Sequence, residues 1–274
     1  MSGSKQPILV VGLLQVTADP WKSIYENGQL PTWINYCPTS VEVVNIYGKT
    51  PNNIVRALDI SYEKMRWSPL LQGLIHILNR FLTKFLSKCD SPKFKIESNK
   101  EVTNLFVEVP SMHLTLPIVE MALFKYFLHS TNAKFLYMSN TSSYVNLQNL
   151  IELIKNLSKN KIYGGTMINF AGIKFASGAN RLLSRDTVQF LVNEFKNWDF
   201  QYINDVSLGK LLASEKINEV IVPSIAFSKI DEINVMDLET IKSTIHFRLK
   251  SGARNSRNDV ELMQYLHSII VTDS

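Results

Sequence analysis

The chain has only two cysteines in 274 residues, Cys37 and Cys89, and their spacing makes neither a disulfide framework nor a CxxC metal pair. Such usage fits a reducing compartment, so a cytoplasmic protein is expected. Long apolar runs are missing as well. No stretch reaches roughly 18 uncharged apolar residues, the length a spanning helix needs. The run Ile8–Leu14 is short and has little positive charge ahead of it, so a signal peptide is not expected. Repeats and low-complexity tracts are absent, and the five histidines (His76, His113, His129, His246, His267) stand apart without ligand spacing.

What remains is an ordinary globular composition, 45% hydrophobic and 19% charged, which argues against disorder and suffices for a single domain over 1–274. The net charge of +5 is gathered in one place. Between Arg56 and Lys100, nine basic residues (Arg56, Lys64, Arg66, Arg80, Lys84, Lys88, Lys93, Lys95, Lys100) face four acids (Asp59, Glu63, Asp90, Glu97), and nine minus four is the whole excess. A patch of this kind favours an anionic partner: a phosphate-bearing ligand, a membrane surface or nucleic acid. Aromatic residues do not interleave with it as base stacking requires, so nucleic acid is not expected. Within it, Leu70–Leu86 has the one-face apolar spacing of an amphipathic helix, with Arg80, Lys84 and Lys88 on the polar side. That side is either a solvated face or a peripheral contact of the 56–100 region with an anionic membrane.

Six apolar runs read as strands: "PILVVGLLQVT" (7–17), "SVEVVNIYG" (40–48), "NLFVEV" (104–109), "AKFLYMS" (133–139), "IKFASG" (173–178) and "EVIVPSI" (219–225). Helical periodicity lies between them, over 117–127, 147–157, 186–198 and 206–212 as well as 70–86. Alternation of this sort predicts an α/β fold with a mostly parallel central sheet flanked by helices. Trp21, Trp33 and Trp67 are read as packing residues ahead of ring-stacking ones.

The candidate site residues cluster at strand ends. "FLYMSNTSSYVNLQNL" runs from a strand through Ser139-Asn140-Thr141-Ser142-Ser143 into a helix that Asn146 or Ser143 caps. In an open sheet, that junction is the ligand edge. Gly164-Gly165 lets the backbone turn or approach a ligand closely, and Ser177-Gly178-Ala179 ends a strand with small residues, a floor for a sugar or other flat ligand. Ser184 reads as a helix cap with Asp186 in the first turn. Asn204-Asp205 then puts a lone carboxylate at a loop-to-helix junction.

The order "SYVNLQNL", "YGG", "FASGANRLLSRD", "NDVSLG", covering roughly Thr115 to Leu212, resembles the Fringe-like β1,3-glycosyltransferases and their microbial relatives. That resemblance implies a nucleotide-sugar-binding fold of the GT-A type, with a donor half near 1–145 and an acceptor half near 146–274. It also implies hexosyl transfer, with inversion, from a nucleoside-diphosphate sugar to a glycan or lipid-linked acceptor. By the same match Asp205 is the general base, and Ser177-Gly178-Ala179 with Leu183-Ser184 shape the sugar and acceptor site; Gly164 and Gly165 are read into the same pocket from their backbone freedom. Where the family keeps an acidic triplet that binds a divalent metal, this chain has Asn140-Thr141-Ser142. Amides and hydroxyls are poor sole ligands for a hard cation, so no metal cofactor is expected. Asn140, Thr141, Ser142 and Ser143 become donor contacts instead.

A cationic substitute is expected from the C-terminal segment. His246, Arg248 and Lys250 alternate along a short strand, Arg254 and Arg257 follow, and Asp259 is placed to orient one of them. Arginine matches phosphate oxygens bidentately. The alternative reading is a non-catalytic nucleotide-sugar-binding or scaffold protein of the same fold.

Overall fold

A computed structural model describes residues 6–66, 86, 88–99, 101–170, 172–200, 202–249 and 257–271. Apart from Leu86, the helix expected over 70–86 lies outside these residues, as do Trp67, Lys250 and Arg254.

Every apolar run expected as a strand is one, the last of them split in two. The main sheet has eight strands in the order β3-β4-β2-β1-β5-β8-β7-β9 among the described residues. They are β1 (Leu9–Gln15), β2 (Val41–Lys49), β3 (Phe94–Ser98), β4 (Thr103–Pro110), β5 (Phe135–Asn140), β7 (Ile162–Phe170), β8 (Ile173–Ser184) and β9 (Asn218–Ile221). Strands β3 and β8 run against the other six, so the sheet is mixed but mostly parallel. A second sheet joins β6 (Ser143–Val145), β10 (Ser224–Ala226) and β11 (His246–Arg248) in the order β10-β11-β6.

Strand β1 shows how both faces are filled. Leu9, Val11 and Leu13 point into one core with Trp33, Leu150, Ile154, Leu262 and Leu266. Val10 points into the other with Leu123, Phe124, Phe127, Val188 and Leu208. Successive side chains of a strand alternate in this way, so a continuous apolar run has to be covered twice. Each fully buried Leu, Val or Phe stabilises the fold by about 1.5–3 kcal/mol. The helix Leu116–Ser130 is apolar nearly all round, carries Pro117 in its first turn, and buries ten residues from Pro117 to Phe127. One of the ten is an acid, Glu120.

Two local expectations change. The Gly164-Gly165 pair lies inside β7, not in a turn. The β9 carbonyl of Val220 sits against Gly164, and the β8 carbonyl of Asn180 against Gly165, whose φ is +143°. A Cβ has no room at either, so the close approach these glycines permit is between strands, with a bulge between Gly165 and Met167. Ser184 stands at the N-cap position of the helix Arg185–Asn193, but its hydroxyl does not cap. It donates to Asp186 at 2.6 Å and accepts the Ile162 N–H at 2.8 Å, joining β7 to the helix start.

Candidate functional site

The chain lays β1, β2 and β4 outward in one direction, then returns to place β5 on the other flank of β1. Open α/β sheets bind ligands at such a reversal, in the crevice beyond the carboxyl ends of the two strands. Here those ends are Gln15 and Asn140. A buried set of amides lies beneath them: Gln15 Nε2 donates to Gln29 at 3.4 Å and to Asn45 at 3.3 Å. Gln29 Nε2 in turn donates to the carbonyls of Asn140 at 2.9 Å and Ser143 at 3.0 Å, fixing the turn after β5.

Asn140, Thr141, Ser142 and Ser143 gather here as expected, but their polar atoms are occupied by the protein. Asn140 Oδ1 accepts the Ser142 N–H at 3.1 Å and the Ser143 hydroxyl at 3.0 Å. Thr141 Oγ1 donates to the Leu14 carbonyl at 3.3 Å. The three hydroxyl residues are buried and Asn140 is half-buried. The turn therefore acts as a mount, and what it holds is cationic.

Strand β11 pairs antiparallel with β6, setting Arg248 opposite Ser143, and the Leu249 N–H donates to the Ser142 carbonyl at 2.8 Å. Arg248 Nη1 thereby reaches Asn140 Oδ1. Arg257 arrives from the residues before the helix Asp259–Val271: its Nη2 donates to Ser142 Oγ at 2.6 Å, while Nε and Nη2 grip Asp259 at 3.0 and 2.5 Å. The guanidinium lies over the Trp21 ring, 4.4 Å from its centroid. Trp21 is thus a platform for an arginine, which its sequence context did not signal. Burial first, then the charge of Arg257, holds the Arg248 pKa below its ordinary value, with Asp259 opposing. Two guanidiniums are set against one carboxylate.

His246 does not join them. It is fully buried and bonded through Nδ1 to the Tyr137 hydroxyl at 2.9 Å. Tyr137 gives its one proton to Asn180 Oδ1 at 2.9 Å, so the imidazole donates to the phenol oxygen. Burial, followed by the charge of Arg248, pushes the His246 pKa down to about 3. A neutral, enclosed ring offers no charge to a diphosphate; His246 is a brace between the two sheets.

Asp205 stands at the same sheet edge. It is the second residue of the helix Asn204–Leu212, and its side chain retains 24% exposure. Oδ2 accepts the Gly178 N–H at 2.8 Å, and Oδ1 faces Arg181 Nη1 at 3.9 Å. A Cβ at Gly178 would collide with the carboxylate, so the small residue is required. Ser177 and Ala179 flank it, half-buried, and β8 pairs Asn180 with Ser139 of β5, bringing this edge beside the turn. Arg181, wholly buried, bonds Glu120 at 2.7 Å. Sequence reasoning missed this pair, although a single acid in "PIVEMALF" and a single base in "GANRLLS" were its signal.

The turn does not suit a divalent cation. Its donors are neutral, and the Asn140 oxygen that a metal would use already accepts a guanidinium. Among the described residues no three His, Cys, Asp or Glu side chains gather as a metal site would need.

No family model matches the chain, and no curated protein matches its sequence. Among solved structures it is similar to a glycosyltransferase involved in the glycosylation of the major capsid of PBCV-1, at 8% identity and a TM-score of 0.39, over 94% of this chain and 100% of that one. At 8% identity the chemistry has to be argued from this chain's own residues.

Proposed function

We propose that the chain is an inverting glycosyltransferase of GT-A type that binds a nucleoside-diphosphate sugar at the β1/β5 reversal, using its own guanidiniums where Fringe-like enzymes use a metal. The observation that carries this is the Arg248–Arg257 pair on the turn after β5, two guanidiniums with the one carboxylate of Asp259 bonded to Arg257. The order of the four motifs supports the class of reaction, and the hexosyl acceptor is a glycan or lipid-linked saccharide.

In the reaction, an acceptor hydroxyl attacks the anomeric carbon as its proton passes to Asp205. The new C–O bond forms on the face opposite the departing diphosphate oxygen. Arg248 and Arg257 meet the charge that develops on the leaving group, and being fixed by Asn140, Ser142 and Asp259 they need no reorganisation to do so. Gly178 N–H holds the carboxylate in place.

A second reading has its own observation. Both Asp205 oxygens already have protein partners, as they would in a nucleotide-sugar-binding protein that does not turn over. A thermal-shift screen of UDP, GDP, TDP and CDP in EDTA, followed by sugar transfer and donor hydrolysis with the best binder, separates the two. The enzyme reading expects a stabilising nucleotide and chelator-resistant turnover that Asp205→Asn abolishes. Binding without turnover for every donor sugar sinks it in favour of the second, and no binding at all sinks both. No helix of the described residues is long and apolar enough to cross a membrane. Contact of the basic 56–100 region with an anionic bilayer is the accompanying proposal, tested by co-sedimentation with phosphatidylglycerol vesicles.

A further inference from the structure

On the far side of β6 from the arginines lies a second concavity. Ser143 and Tyr144 are neighbours in a strand and face opposite ways, so Ser143 meets Asn140 while Tyr144 lines a pocket of about 460 Å³. That volume is in the range of small-ligand sites. Its walls are aromatic: Trp33, Tyr36, Tyr144 and His267. Its polar edge comes from Lys242 and from Asn146, Gln148 and Asn149 at the start of the helix Leu147–Lys155.

Three features of this pocket call for an occupant. Tyr36 is 60% exposed although its ring centroid is 4.6 Å from that of His267, so an aromatic face is held open to solvent. Trp33 is 3% exposed, yet its Nε1 has no hydrogen-bond partner. Tyr144 bonds His267 Nδ1 at 3.1 Å, leaving the buried Nε2 of that ring without a partner as well. Buried donors and acceptors in native proteins nearly always find partners, so two orphans in one pocket wall mark it as unusual.

The geometry points to a saccharide. We propose that this pocket is a secondary binding site for a pyranose ring, separate from the β1/β5 crevice and independent of the reading given for it. A flat base asks for parallel faces to lie between, and the rings here are inclined: Tyr36 to His267 by 59° and Tyr144 to His267 by 52°. A puckered sugar fits such a cradle, with its C–H face on the open Tyr36 ring and its hydroxyls turned to the Gln148 amide.

The test uses maltose, cellobiose, lactose and N,N′-diacetylchitobiose at millimolar concentration, read by saturation-transfer NMR, with uridine as the flat-ring competitor. At least one disaccharide is expected to bind the wild type, to lose at least about tenfold in affinity in Tyr36→Ala, and to bind Arg257→Ala as it binds the wild type. Tyr36 is exposed, so its loss leaves the fold intact; Trp33→Phe, which keeps a ring and removes the N–H, is expected to weaken binding less. The proposal is overturned if no disaccharide binds, if binding is indifferent to Tyr36→Ala, or if uridine binds in a Tyr36-dependent way and the sugars do not. Because Arg257 is not involved, failure of the nucleotide reading would leave this result standing, and the reverse.

Discussion

Two arginine sites face the same edge of the sheet, and their charge balance is opposite. Arg181 is one cation between two carboxylates, Glu120 and Asp205, and is wholly buried. Burial works against its charge, but Glu120 and Asp205 outweigh that, and its pKa is raised above the ordinary value. Arg248 and Arg257 are two cations against Asp259, and the Arg248 pKa is lowered. The first group leaves one negative charge over, on an Asp205 side chain that retains 24% exposure. The second leaves one positive charge over, which is the charge that the proposed diphosphate would meet.

The sharpest way to break the comparison is to remove one partner of the Arg181–Glu120 pair. Arg181→Met strands Glu120 in the core, where burial already raises the carboxyl pKa against the pull of Arg181. The expected loss is about 3–5 kcal/mol in urea unfolding, with much of it recovered in the double variant Glu120→Leu/Arg181→Met. A single variant that costs less than about 1 kcal/mol would mean that the pair is not structural, and the contrast would fail.

Asp205 belongs to the Arg181 cluster and is also the proposed base, which makes its substitution the next largest test. Asp205→Asn keeps an amide oxygen for the Gly178 N–H, so unfolding should change little. Turnover should fall by about 10²–10⁴-fold if the carboxylate takes the acceptor proton. A variant that loses stability and keeps its turnover would return Asp205 to the Arg181 cluster alone.

The sheet was legible because apolar runs covered on both faces, such as Ile8–Leu14, leave little else for the chain to do. β7 was not, since a Gly-Gly pair reads as a turn and only the carbonyls of Val220 and Asn180 explain it as close strand packing. The turn after β5 was legible as a place: Asn140 to Ser143 and Arg248 and Arg257 do meet. Its internal wiring was not, because which hydroxyl accepts from which arginine depends on β11 docking against β6 from about a hundred residues away, as the Arg248–Asn140 separation of 108 shows. His246 was grouped with the cations by its alternation with Arg248, but alternation gives the face and not the depth. Tyr137 and Asn180 close over it.

His246 supplies a third prediction, because it decides whether the cationic site holds two charges or three. Its pKa in the folded chain is about 3, against an ordinary 6.5. Between those values the unfolded chain binds a proton that the folded chain refuses, so the contribution is whole above about pH 6.5 and is lost as the pH falls toward 3. At about pH 5 the loss is about 2 kcal/mol, and His246→Gln should be less acid-sensitive than the wild type by that amount between about pH 7 and 5. Equal acid sensitivity of the two proteins would place a charged His246 beside Arg248 and remove the reason for excluding it from the anion site.

The smallest effect tests the shape of the Arg248–Arg257 site apart from its charge. Arg257 meets Ser142 Oγ and both Asp259 oxygens at once while lying over Trp21, a set of contacts that suits a planar fork. Arg257→Lys keeps the cation and loses the fork. Nucleoside diphosphate affinity should then fall by about tenfold, or about 1.4 kcal/mol, with its salt dependence retained. Arg257→Ala removes the charge as well, and both the affinity and the salt dependence should drop further. If lysine binds as well as arginine, the site is a pool of positive charge, and the contacts to Ser142, Asp259 and Trp21 serve the packing of the helix Asp259–Val271 and not the ligand.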